Sequence, residues 1–249
     1  MRVRRAVRGL FAVAGIVLTT TWAIMAVQVI LAERFYRQTS EEMSTVEDAE
    51  SGWNRLQKTN DETVGWLTVD GTPINYPIVQ PKGSTPEDFY LSHDFWKHAD
   101  GGGCPYLDTR AQAGGRHLLV FGHRFAGTER MFSSLSYAWD ERVFFSIGPA
   151  SLSAPNRAAE SFAPLCALRV DQDFPNIQRF DFEHGAALRS WLTDIVKQAD
   201  VRCENSEVSI GRAERVLTLV TCAGNRGGGR ERALVIFSSD TQTDLARTG

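Results

Sequence analysis

Four cysteines are the most reactive side chains in this chain, at positions 104, 166, 203 and 222. They form no CxxC pair and no Cys/His spacing of a zinc site, so a structural metal is not expected. Cys166 lies inside the apolar run FAPLCALRV and Cys104 begins another, which suits core residues; Cys203 follows a helical stretch and is assigned no role. Cys222 stands apart because it ends the run VLTLVTC and opens at once onto AGNRGGGR, a loop with four glycines in six residues. The thiolate is the nucleophilic form of cysteine, and at neutral pH it needs a neighbouring base or cation. His123 ends the run HLLVFGH in the same way, ahead of the polar RFAGTER. Arg232 begins the run after the glycine loop, so a rigid element can bring it back beside Cys222. Taken singly, a strand-end histidine also suits a surface position, and an arginine before an apolar run also suits an edge charge. Nucleophilic thiol catalysis therefore rests on three chemically complementary residues placed alike. Arg226 and Arg230 are close enough in sequence to compete with Arg232.

The elements that must hold these residues are short apolar runs separated by Gly, Pro, Asn and Asp: VGWLTV, INYPIVQ, CPYLD, HLLVFGH, SFAPLCALRV, RVLTLVTC and RALVIFSS. Runs of this length and punctuation read as strands. Seven or eight strands with few helices predict a mainly β fold, a closed or nearly closed barrel. One stretch breaks the pattern: Leu188, Trp191, Leu192, Ile195, Val196 and Ala199 recur at helical spacing, with Arg189, Asp194 and Lys197 opposite. This predicts an amphipathic helix between two late strands, covering one end of the barrel or bordering a substrate site. His93, His98, His117 and His184 are expected to be solvated or structural.

The chain of 249 residues is 43% hydrophobic and 23% charged, and its net charge of -3 with scattered basic residues argues against nucleic-acid binding. No charged residue occurs from Gly9 to Ala32, and Arg2, Arg4, Arg5 and Arg8 precede that run. It is long enough to span a bilayer, and the basic flank predicts a cytoplasmic N-terminus with the body outside. A cleaved signal peptide would share these features, but no convincing cleavage site follows. The expected organisation is a basic segment at 1–8, an anchor at 9–32, a juxtamembrane spacer and N-terminal helix at 33–63, a catalytic domain at 64–240 and a tail at 241–249. No serine-hydrolase elbow, Walker loop, dinucleotide fingerprint or HExxH pattern is present.

VGWLTVDGTPINYPIVQ, FYLSHDFW, LVFGHRF followed by MFSSL, TLVTC and RALVIF occur in the order seen in class B sortases, from about Val64 to Ser239. The chain resembles that family in its single N-terminal anchor and in the helix before the cysteine strand. The resemblance implies an eight-stranded β-barrel preceded by a transmembrane helix, and a cofactor-free cysteine transpeptidase. It implies His123, Cys222 and Arg232 as the catalytic set and Thr221 as a residue that holds substrate. The implied partners are surface proteins with a C-terminal sorting signal, and an amine acceptor that is either a cell-wall precursor or a pilin lysine. Val220 stands where the family usually has serine. The rivals are an L,D-transpeptidase, whose SxGC-like motif is absent, and a non-catalytic anchored binding domain.

Overall fold

The computed structural model describes residues 2–43, 49–112, 114–224 and 229–239. The chain divides into two compact units, Met1–Gly52 and Trp53–Gly249. In the first, α1 (Arg2–Met43) is one helix that contains the whole expected anchor and continues through the expected spacer. Its continuation, ERFYRQTSEEM, is rich in good helix formers, and Gln38 donates to Glu42 one turn on at 3.2 Å. Among the described residues, Val17–Glu42 is long and apolar enough, by length and composition, to cross a membrane. Leu18, Trp22, Ile24 and Leu31 on this stretch are exposed. The expected tail at 241–249 lies outside the described residues.

Helix α2 (Ala49–Thr59) carries Trp53 and Leu56, both buried, into the second unit. Among the described residues nine strands follow: β1 (Thr63–Val69), β2 (Asn75–Val79), β3 (Tyr106–Leu107), β4 (His117–Phe121), β5 (Ala150–Ala154), β6 (Arg157–Asp171), β7 (Val201–Arg202), β8 (Arg215–Cys222) and β9 (Glu231–Ser239). Eight of them pair in the order β5-β1-β2-β3-β4-β8-β9-β6, and β6 pairs back to β5, so the barrel closes. The two-residue β7 is added to β6 outside this circuit. β2–β3 and β4–β8 are parallel; the other pairs are antiparallel.

Alternation sorts each strand into two faces. One set, including Leu67, Ile78, Leu118, Val120, Leu217, Leu219, Val235 and Phe237, forms a single cluster drawn from strands all around the barrel, which is therefore its interior. The opposite set, including Leu119, Val216, Val220, Leu234 and Ile236, is covered from outside by α4 (Gly185–Val196) through Leu188, Trp191, Leu192 and Ile195. Burial on both faces explains why VLTLVTC and ALVIF read as unbroken apolar runs rather than alternating ones. It also places the amphipathic helix on the barrel wall, not over an end. The short helices α3 (Glu141–Phe144) and α5 (Ser206–Arg212) complete the described elements of this unit, with single helical turns in the loops.

His117 shows how the outer layer is fixed. It is fully buried, its Nδ1 lies 2.8 Å from the Arg179 carbonyl and its Nε2 2.9 Å from the Thr218 hydroxyl, and it stacks on Phe180. A neutral ring that donates from Nδ1 and accepts at Nε2 satisfies both partners. Burial pushes its pKa down to about 4, against smaller upward pulls from the Arg179 carbonyl and Asp108. The unfolded chain binds this proton near pH 6.5 and the folded chain does not, so stability must fall as pH drops from about 6.5 to 4. The expected loss is roughly 3 kcal/mol across that window. Urea denaturation at several pH values should show it, and His117→Gln should flatten the slope even where it lowers the plateau.

Candidate active site

β4, β8 and β9 are neighbours, and their registers put three residues at one level. Phe121 pairs with Val220 and Val220 with Leu234; one step of two residues further, Cys222 pairs with Arg232. His123 lies the same two residues beyond Phe121, and the Gly122 N–H continues the ladder to the Val220 carbonyl at 3.0 Å. A period of two therefore sets His123, Cys222 and Arg232 on the outer face that carries Phe121, Val220 and Leu234, just past the apolar layer. Directly opposed strand residues hold their Cβ atoms about 5 Å apart, the relation of Cys222 to Arg232. The parallel β4–β8 pair is what makes this possible, since it brings two strand ends, HLLVFGH and VLTLVTC, to the same edge of the sheet.

Each side chain is held by a different device. Gly122 admits no side chain: a Cβ there would lie 2.5 Å from the Phe132 ring. Phe132 in turn donates its N–H to the His123 carbonyl at 2.9 Å. The His123 Nε2 is 2.7 Å from the Leu91 carbonyl and must donate to it, and among the described residues no hydrogen bond reaches Nδ1. Gly103, at φ +60°, lies flat beside the ring, since a Cβ there would meet the imidazole Cδ2 at 3.0 Å and the Tyr90 carbonyl at 2.3 Å. Cys222 is half-buried, whereas Cys104 and Cys166 are buried and their thiol pKa values are pushed up by burial.

The Arg232 guanidinium donates from Nη1 to the carbonyls of Gly229 (2.6 Å) and Glu231 (3.1 Å), and from Nη2 to Gln172 Oε1 (3.2 Å). Three of its five N–H groups are thus engaged, and among the described residues no partner takes Nε–H or the second Nη2–H. Arg230, its rival in sequence, turns instead to Asp171 (2.8 Å) and Asp173 (2.6 Å). Arg226 lies outside the described residues. A cavity of about 120 Å³ adjoins Arg232; its floor is Phe121, Val220 and Leu234, and its wall is the segment 171–178 after β6. That segment, not α4 itself, borders the cavity, and α4 fixes it from behind through the Trp191 Nε1–H bond to the Asn176 carbonyl, 2.7 Å.

Thr221 faces the other way. It is 2% exposed on the side opposite Cys222, paired with Ala233, and its hydroxyl has no hydrogen-bond partner among the described residues. A buried hydroxyl without a partner costs about 1–3 kcal/mol. Thr221→Val keeps the shape and removes that cost, so the variant should be as stable as the parent or more so, with turnover unchanged. A loss of peptide turnover in a folded Thr221→Val protein would instead show that the hydroxyl binds substrate.

The sequence singles out the three strand-end residues but not Leu91, Gly103 or Gln172, whose contributions are a carbonyl, a missing side chain and an amide in loops. Among the described residues no group of three or more His, Cys, Asp or Glu side chains could hold a metal ion.

No protein-family model matches the chain. Two curated proteins do: the Sortase B of Staphylococcus aureus (strain NCTC 8325 / PS 47) is 25% identical over 183 residues, 73% of this chain and 71% of that protein. The Sortase B of Listeria monocytogenes serovar 1/2a (strain ATCC BAA-679 / EGD-e) is 30% identical over 171 residues, 67% of this chain and 65% of that protein. Among solved structures, a Staphylococcus aureus sortase B–substrate complex shares the fold with a TM-score of 0.69 at 21% identity, covering 83% of this chain and 93% of that one. In its closed eight-stranded barrel and in its sequence the chain is similar to the class B sortases, which are cysteine transpeptidases.

Proposed function

We propose that this transpeptidase cleaves a C-terminal sorting signal of surface proteins through a thioacyl-enzyme on Cys222, and passes the acyl group to an amine of a cell-wall precursor or a pilin lysine. The observation that carries this reading is the pairing of Cys222 with Arg232 across β8 and β9, with His123 two residues past the end of the adjacent β4 and Arg232 lining a cavity with an apolar floor. The Cys222 thiolate attacks the scissile carbonyl, and the spare N–H groups of Arg232 donate to the developing oxyanion. The tetrahedral adduct collapses to a thioester as the C–N bond breaks. The His123 imidazolium gives its proton to the departing amine from Nδ1, because Nε2 is committed to the Leu91 carbonyl. The resulting neutral imidazole then takes a proton from the incoming amine, which attacks the thioester and releases the thiolate. Thr221 is left out of this machinery because its side chain points away.

The N-terminal helix would anchor the enzyme through residues 9–32, with the basic segment 1–8 in the cytoplasm and residues 64–240 at the cell surface. The test is mass spectrometry of the enzyme incubated with a library of sorting peptides. A mass increase on the peptide containing Cys222, released by hydroxylamine, is expected; an adduct on another cysteine, or none with any peptide, overturns the reading.

A further inference from the structure

The Leu91 carbonyl that holds His123 belongs to a helical turn, Phe89–Leu91, that is itself built on a buried carboxylate. Glu62, 2% exposed just before β1, accepts the Tyr90 hydroxyl at 2.5 Å on Oε2, with the Lys97 ammonium 3.3 Å from the same oxygen. Its Oε1 accepts the Thr85 hydroxyl at 2.6 Å and the Lys82 N–H at 3.1 Å. Asn60, also buried, donates to the Tyr90 oxygen and to the Phe95 carbonyl, both at 2.9 Å. Tyr90 is fully buried, and its carbonyl accepts the Cys104 N–H at 3.0 Å. The turn is thus pinned at its centre from both the side chain and the backbone, one residue before the carbonyl that meets His123.

Burying a carboxylate is unfavourable unless its lone pairs are filled, and an apolar side chain would pack here at lower cost. The polar network is directional in a way that packing is not: it fixes the turn's rotation, and with it the aim of the Leu91 carbonyl. We infer that Glu62 and Tyr90 are positioning residues for His123, locking the Nε2–H form of its ring so that Nδ1 alone exchanges protons. The inference rests on the proposed role of His123 for its kinetic consequence, but not for its structural one.

The test uses the full-length chain in detergent micelles, labelled with 15N-histidine and assigned with His123→Gln. At a pH alkaline enough to leave the ring neutral, His123 of the parent should show one tautomer with the proton on Nε2. Tyr90→Phe removes only the hydroxyl; it should stay folded, give a mixed-tautomer signal for His123, and lower kcat about tenfold with KM within about twofold, the scale of a slightly misaimed catalytic group. Thr85→Val removes a hydrogen bond to the same carboxylate without touching Tyr90, and should lower stability while leaving the His123 signal and kcat as they were. An unchanged His123 signal in folded Tyr90→Phe, or equal changes in Thr85→Val, overturns the inference. A parent that cleaves no peptide would count against the proposed function alone, because the nitrogen signals would still report the positioning.

Discussion

Cys222→Ala is expected to reduce peptide cleavage to background, while alanine at Cys104, Cys166 or Cys203 leaves turnover within about twofold and changes stability only. The contrast follows from burial and placement. Cys104 and Cys166 are 3% and 0% exposed, and burial raises both thiol pKa values, so neither offers a thiolate at neutral pH. Cys203 is half-buried and packs against the apolar layers beside β7, away from the strand ends that carry His123 and Arg232. Cys222 is partly exposed at the end of β8 with Arg232 directly across the strand pair, whereas Cys166, although paired with Arg202, is fully buried. Removing the fully buried Cys166 sulfur empties space in a close-packed layer and should cost about 1–2 kcal/mol of stability. The measurement is cleavage of a fluorogenic sorting peptide by the four variants, with thermal melts as the folding control. Residual turnover in Cys222→Ala above that of heat-killed enzyme would show that the nucleophile lies elsewhere, and would favour a binding domain whose cysteine is incidental.

How much of this could be read from the residues depended on whether a position announces itself by side chain. β8 runs from Arg215 to Cys222 and β9 from Glu231 to Ser239, within one residue of the apolar runs. β5 closes the barrel yet passed unseen, because ASLSA offers one large apolar side chain and is specified by its two partners, β1 and β6. The two-residue β7 gives no pattern at all. The spacer after the anchor proved helical because its charged residues are also good helix formers. In the candidate site, His123 and Cys222 stand out in sequence as the ends of two apolar runs, but nothing there tells that β4 and β8 run parallel, which is what brings the two ends to one edge. His117 and His123 share a strand run and a face, six residues apart; one is sealed under Phe180 and Trp191 and the other lies past that cover. Nothing in the local sequence separates them. His184, passed over as solvated or structural, caps α4 by accepting the Ala187 N–H at 3.1 Å.

Arg232→Lys should stay folded and lose turnover by about a hundredfold or more, the scale of removing one oxyanion donor. Charge is retained in this exchange, so the loss isolates geometry. The guanidinium is held in plane by the carbonyls of Gly229 and Glu231 and by Gln172, which together use three N–H groups and aim the rest. An ammonium has three donors on a flexible stem; if it bonds the same carbonyls it has none left in a fixed direction, and if it turns to the oxyanion it abandons them. Because the missing donor acts chiefly on the transition state, kcat should fall more than KM rises. Arg230→Lys provides the control. Arg230 spends its donors on Asp171 and Asp173, both exposed, and exposed ion pairs contribute little, so its lysine variant should keep turnover within about threefold. Gln172→Ala separates aim from presence: it leaves the guanidinium in place but unties one end, and an intermediate loss of about tenfold is expected. Steady-state cleavage of a sorting peptide, with circular dichroism to confirm folding, orders the three. Near-normal turnover in Arg232→Lys would mean that the site needs a positive charge rather than a fork, and a larger loss in Arg230→Lys would mean that the oxyanion is met from the other side of the loop.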